Sequence, residues 1–312
     1  MRNIEYDELV CPVCKSKLVF LDNEILCSGL DCHSNISNTF FKVGGVPVLI
    51  DFSDSVIERV NFQKFVGASV VNRNGSIKKV LKSLLLGETI NTKKNVAQLK
   101  GLLENTKDPR ILVIGGGTVG KGMDYFFETF KESLDSIDIY KSETVNLICD
   151  AHKLPFRSDV YDLVIIQAVL EHVVDPTMVV SECKRVLKIG GFIYAETPFM
   201  QQVHEGAYDF TRFTESGHRY LFKEFKRLNS GYLAGVGYSL LWSMDYFFSG
   251  VFRAKYVGKV IRILFFWLKY FDLIVPASFN IDGACAVFFL GTAEKVKLTP
   301  KEIVEHYKGN QK

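Results

Sequence analysis

The chain has little surplus charge: 38 Lys and Arg against 35 Asp and Glu in 312 residues. An excess of three is too small to build a surface dedicated to a nucleic-acid backbone. The N-terminus, MRNIEYDELVCP, has no basic region followed by an apolar run and a cleavage site. No secretory signal is therefore expected, and the protein is expected to be cytoplasmic. Nor does any apolar run reach the roughly eighteen residues of a membrane span. Even the aromatic-rich stretch 238–275 is interrupted by Asp245, Arg253, Lys255, Lys259, Arg262, Lys269 and Asp272. What is present is apolar bulk: with 47% hydrophobic residues, the chain can bury one substantial core and a small accessory module.

Seven cysteines is an odd number, and four fall within the first thirty-two residues, a pattern that fits metal binding better than a disulfide framework. Cys11, Pro12, Val13 and Cys14 form a C-P-x-C knuckle. Cys27 and Cys32 follow a hairpin-like stretch, KLVFLDNEILC, with His33 next. Two tight turns joined by strands can deliver four soft ligands to a structural zinc ion without a large core. The expected ligands are Cys11, Cys14, Cys27 and Cys32, with His33 as an alternative to Cys32. Residues 1–52 thus read as a zinc-ribbon-like module in which FFKVGGVPVLID supplies a closing strand. Residues 53–109 read as a helical linker, with Asn91 and Thr92 as caps ahead of Val96, Leu99, Leu102 and Leu103.

From Arg110 onward, strand and helix patterns alternate: ILVIGGG, MDYFFETFKESL as a helix, SIDIY, a loop, YDLVIIQAVL, a helix through SECKRVL, and GGFIYAETP. Such alternation builds an α/β fold, a parallel sheet with helices on both faces, whose ligands bind at the strand carboxyl ends. The first such end is Gly115-Gly116-Gly117-Thr118-Val119-Gly120, where missing side chains let the backbone approach a ligand. Gly115, Gly117 and Gly120 have the spacing of a dinucleotide-binding loop, and Asp138 ends the second strand where a ribose-binding carboxylate is expected. At this point NAD is a rival cofactor.

The next segments separate the readings. CDAHKLPF puts Asp150 and Ala151 after a short third strand, before a turn of Leu154, Pro155 and Phe156. With YDLVIIQAVLEHVVDP and RVLKIGGFIYAETP after it, residues 110–198 resemble the class I S-adenosylmethionine-dependent methyltransferases, of the methyltransferase type 11 kind. Weaker likeness runs on to Leu228 and recurs at GACAVFFLG. The resemblance implies a Rossmann-like fold for 110–312, with S-adenosylmethionine as cofactor and Asp150 as acceptor of the adenine amine. The cofactor's shape suits Asp138 to the ribose hydroxyls and Gln167 to the sulfonium. One departure stands out: Val113 and Ile114 occupy positions where the family often has an acidic residue before the first glycine. The cysteine-rich start is similar to a Trm112-like zinc-ribbon module.

Methyl transfer is an in-line displacement, so holding donor and acceptor together supplies most of the acceleration, and a base matters only for an acceptor that must lose a proton. The loop after the fifth strand, TPFMQQVHEGAYDFTRFTESGHRYLF, offers His204, Asp209 and Arg212 as candidate catalytic residues. Thr214 is a candidate helix cap. Glu171 and His172, at the end of the fourth strand, read as capping or packing residues. There is no N/D-P-P-Y/F tetrapeptide and no Pro-Cys nucleophile, which removes two kinds of base methylation.

The expected acceptor is a small molecule, a glycan or a lipid-linked intermediate. Alternatives are an RNA methyltransferase and a non-catalytic S-adenosylmethionine- or NAD-binding protein. In 238–275, helical spacing puts Lys259, Arg262, Lys269 and Asp272 on one side and Ile261, Leu264, Phe265 and Leu268 on the other. The apolar face is expected to meet the protein's own core, a homodimer partner or the inner membrane surface.

Overall fold

The computed structural model describes residues 2, 4–22, 24–32, 39–59 and 89–311. His33 and most of the expected linker, 60–88, lie outside these. The described strands form one sheet in the order β1-β2-β3-β4-β7-β6-β5-β8-β9-β11-β10. Its centre is β5 (Ile111–Ile114), β6 (Leu134–Asp138), β7 (Leu147–Cys149), β8 (Tyr161–Gln167) and β9 (Leu187–Pro198), all parallel. Strand β11 (Ala286–Thr292) runs antiparallel between β9 and β10 (Lys226–Ala234). The fold is a Rossmann-like mixed sheet with helices on both faces.

All four residues of β5 are buried, as a strand covered on both faces requires. On one face Leu99 and Leu103 of α1 (Ile90–Leu103) pack with Ile111, Val113 and Leu163. On the other, α3 (Pro176–Val186) buries Val179, Val180, Cys183 and Val186, the spacing of one helical face. Between them in sequence, the run expected as one long helix is α2 (Asp124–Thr129) and a short 3-10 turn, because Leu134 already begins β6. The cap of α1 is Thr89, which accepts from Thr92 N at 3.0 Å, while Asn91 donates instead to the Tyr232 carbonyl.

The cysteine-rich segment shares the same sheet. Strands β1 (Leu18–Phe20), β2 (Glu24–Cys27), β3 (Phe40–Val43) and β4 (Val46–Leu49) pair antiparallel in sequence order, with Gly44 and Gly45 at φ 54° and 81° in the β3–β4 turn. Rather than closing the ribbon, β4 pairs parallel with β7 through Val48 and Ile148. The turn after β7 adds to this docking: Val10 N donates to the Pro155 carbonyl at 2.9 Å, and Leu9 bridges Phe156.

Between β10 and β11 lie α5 (Val236–Val251), α6 (Lys255–Leu264), a 3-10 segment (Phe266–Leu273) and α7 (Ala277–Asp282). Two residues expected on the side opposite the apolar face hold these helices together. Asp272 accepts from Gly235 N and Gly237 N at 2.8 and 2.7 Å, capping α5, and Arg262 pairs with Asp245 at 3.2 Å beneath Trp242. No helix among the described residues is long and apolar enough to cross a membrane.

Candidate active site

The carboxyl ends of β5, β6 and β8 meet the glycine loop. Gly115 adopts φ 76°, and both Gly115 N and Gly116 N donate to the Ile137 carbonyl, stitching the loop to β6. Gly117 N donates to Asp138 Oδ2 at 2.8 Å, and a Cβ on Gly117 would come within 2.6 Å of that oxygen and of the Tyr140 hydroxyl. A Cβ on Gly120 would collide with the Gln167 amide. Spacing identified these glycines; in the fold two of them lie directly against Asp138 and Gln167.

Asp138 is 9% exposed, and burial pushes its carboxyl up to about 6 against the backbone N–H groups of Gly117, Ile139 and Tyr140. Asp150 moves the other way. Burial raises it, but bonds from His152 and Ser55 outweigh that and hold it below the usual carboxylate range. Its Oδ1 accepts from His152 N at 3.0 Å and His152 Nδ1 at 2.6 Å, and its Oδ2 from Ser55 Oγ at 2.7 Å. One lone pair on Oδ2 is thus left over. Ala151, buried, begins the 3-10 turn that Asp150 caps. The Ser55 contact was not legible in sequence, since nothing near Ser55 marks it as a neighbour of a residue 95 positions away.

Gln167 ends β8 and donates to Glu196 Oε2 at 2.9 Å; Glu196 also accepts from the Tyr194 hydroxyl, which Asn95 of α1 contacts at 3.1 Å. Directly after Gln167 the chain turns through Ala168 at φ 51°, a left-handed conformation uncommon outside glycine and frequent where a site fixes the backbone. That turn delivers Glu171 and His172.

Glu171 and His172 do not cap α3; Asp175 does, accepting from Thr177 N and Met178 N. They join the loop after β9. Phe210 N and Thr211 N donate to the Glu171 carbonyl at 2.8 and 3.2 Å, and His204 Nε2 lies 3.1 Å from His172 Nε2. Of the candidate catalytic residues, His204 sits in this cluster. Asp209 lies behind it, accepting from His204 N at 2.9 Å and standing 3.4 Å from its Nδ1. Arg212 grips Asp209 with two nitrogens, which outweighs the effect of burial and holds that carboxyl at about 2. Thr214 caps α4 (Glu215–Leu221), accepting from Gly217 N at 3.0 Å.

The four candidate zinc ligands also converge. Cys11 and Cys32 are 3.7 Å apart at sulfur, and Cys14 and Cys27 3.3 Å. Thiolates around a tetrahedral zinc stand about 3.8 Å apart, so the set fits the ion. Gly29 donates its N–H to Cys27 Sγ at 3.3 Å, and a Cβ there would come within 3.0 Å of Cys14 Sγ.

Residues 116–195 match the family described as a methyltransferase domain. The matched residues run from the second glycine of the loop into β9, so this part of the chain is similar to a methyltransferase domain. The ubiquinone biosynthesis O-methyltransferase of Pectobacterium atrosepticum is 28% identical over 118 residues, 33% of this chain and 47% of that protein. The match thus spans about half of the curated relative's length. Among solved structures, a Galdieria sulphuraria protein described as a sarcosine dimethylglycine methyltransferase aligns at 13% identity and a TM-score of 0.44 over 71% of this chain and 99% of that one. The phosphoethanolamine N-methyltransferase 2 of Haemonchus contortus, in complex with S-adenosyl-L-methionine, aligns at 16% and 0.42 over 66% and 52%.

Proposed function

We propose that this protein is an S-adenosylmethionine-dependent methyltransferase acting on the oxygen or nitrogen of a small-molecule, glycan or lipid-linked acceptor. The observation that carries the reading is the glycine loop lying against Asp138 and Gln167 at the strand ends, within the segment that matches a methyltransferase domain. Asp138 accepts the two ribose hydroxyls, the free lone pair of Asp150 accepts the adenine amine beside Ala151, and Gly115, Gly117 and Gly120 admit the methionine portion. Gln167, fixed by Glu196, faces the sulfonium. The bound cofactor supplies an electrophilic methyl group. The protein's part is to hold the acceptor in line with it and to exclude water, using the loop that carries His204, Asp209 and Arg212. The match to an O-methyltransferase favours a hydroxyl acceptor.

In the same reading Cys11, Cys14, Cys27 and Cys32 hold a structural zinc ion in a ribbon of the Trm112-like kind. The helices of 238–275 form an apolar insertion that seats the protein on a membrane surface or on a second copy. Tyr246, Phe247, Phe252 and Ile274 are each 60% or more exposed there, with Lys255 and Lys259 among them. The test is incubation with methyl-labelled S-adenosylmethionine and separate lipid and water-soluble cell extracts. Label is expected in a discrete product of one fraction, lost in the Asp138→Ala variant. No labelled product in either fraction, with cofactor bound, would contradict the activity.

A further inference from the structure

We propose that Glu171, His172 and His204 bind a divalent metal ion through the two imidazole Nε2 atoms and the carboxylate. The tautomers are fixed by what stands behind each ring. His172 Nδ1 faces the Tyr208 carbonyl at 2.8 Å, and His204 Nδ1 faces the Gln202 carbonyl at 3.3 Å and the Asp209 carboxylate at 3.4 Å. Carbonyl and carboxylate oxygens only accept, so both Nδ1 atoms carry the proton and both Nε2 atoms present lone pairs. Those lone pairs point at one another across 3.1 Å. Two acceptors that close require a cation between or beside them.

The carboxylate makes the same demand. Glu171 is completely buried, and neither of its side-chain oxygens has a hydrogen-bond partner; Oε1 lies 3.6 Å from His172 Nε2 and 3.8 Å from His204 Nε2. A buried carboxylate left unpaired is expensive, and sites that keep one usually place a cation against it. All three ligand atoms lie within 4.8 Å of one another. Nitrogen ligands about 2.0–2.1 Å from a shared metal sit about 2.9–3.4 Å apart, which brackets the observed separation.

The supports expected behind metal-bound histidines are also there. One ring is backed by a carbonyl and the other by Asp209, itself held by Arg212, so two of the candidate catalytic residues orient a ligand. Two imidazoles and a carboxylate suit manganese, iron, cobalt or zinc, in contrast to the thiolate set beside β1 and β2. Three protein ligands leave coordination positions open, and the rings keep a path to solvent, with side chains 19% and 24% exposed. The ion would sit four residues past Gln167. If the methyl-transfer reading holds, the ion's charge would lower the pKa of an acceptor hydroxyl bound at an open position, and water would take its proton. The oxygen would then displace the methyl group from the sulfonium, leaving S-adenosylhomocysteine. Metal binding itself does not depend on that reading.

The test is a manganese titration of the full chain followed by electron paramagnetic resonance, since Mn²⁺ binds nitrogen and oxygen donors and avoids the thiolate cluster. The wild-type chain is expected to take up one Mn²⁺. Glu171→Gln and His204→Ala, checked for folding by circular dichroism and for S-adenosylhomocysteine binding, should weaken it at least about tenfold. Should either variant fail to fold, spin-echo spectra of the wild type carry the decision, with nitrogen coupling from two imidazoles expected. No bound Mn²⁺, unchanged affinity in both folded variants, or no imidazole coupling would each overturn the proposal, leaving a shared proton between the rings. The cofactor titration is read separately, so either result stands without the other.

Discussion

The thiol cluster and the Glu171–His172–His204 cluster sit on different parts of one sheet and differ in almost every respect that decides what a site does. The cysteines come from two short turns within twenty-two residues beside β1 and β2, supply four soft ligands of which Cys14 is exposed, and have a glycine backbone N–H on one sulfur. The second cluster is assembled from the turn after β8 and the loop after β9, has harder donors, and supplies three ligands rather than four. A closed soft set suits a structural ion and an open mixed set suits one that meets substrate. Stability should therefore depend on the first cluster and chemistry on the second.

That contrast orders the expected effects. Cys11→Ser should cost about 4 kcal/mol or more in a denaturant titration, because losing a structural metal is among the largest single-residue effects. A melting curve superimposable on wild type would break the distinction. Asp138→Ala should leave both clusters intact while weakening cofactor binding by roughly 2–4 kcal/mol, the worth of two hydrogen bonds to a charged acceptor. Calorimetry together with metal analysis reads both halves of that statement.

Asp138 also sets a pH dependence. Its folded carboxyl titrates near 6, above its ordinary value of 3.8, so the carboxylate proposed to accept the ribose hydroxyls is lost as pH falls through 6. Cofactor affinity should fall up to about tenfold per pH unit below that point. For stability the sign is opposite. A raised carboxyl favours the folded state fully below 3.8, and that contribution disappears as pH rises through 6. Affinity flat from pH 7 to 5 would show that Asp138 does not hold the cofactor.

Smaller changes sharpen the boundary between the two regions. Ser55→Ala removes one bond to Asp150 and should weaken cofactor binding by about 1 kcal/mol, linking the N-terminal segment to the site. Without metal, burial pushes the Glu171 carboxyl up to about 8, so Glu171→Gln exchanges a neutral acid for a neutral amide, and stability near pH 7 should stay within about 1 kcal/mol of wild type. A loss several times larger would mean the carboxylate has a structural role.

Legibility in the sequence followed the range of the interaction. Strands β5, β8 and β11 announce themselves because buried strands are runs of apolar residues, and the parallel pairing of the central strands follows from alternating elements. The cysteine turns and the glycine loop are local, so spacing sufficed. Glu171 and His172 read as capping or packing residues because His204, their partner, lies on another loop, thirty-two positions from His172. The same limit hid the pairing of β4 with β7 and the reach of Ser55 to Asp150. Each is settled by how the sheet stacks distant segments, which no local pattern records.

The central claim is that the strand ends around Asp138, Asp150 and Gln167 bind a methyl donor. Titration calorimetry of the full chain with S-adenosylhomocysteine and, separately, with NAD tests it most directly. One S-adenosylhomocysteine per chain and no heat from NAD is the predicted result; binding of NAD alone, or of neither, would contradict it.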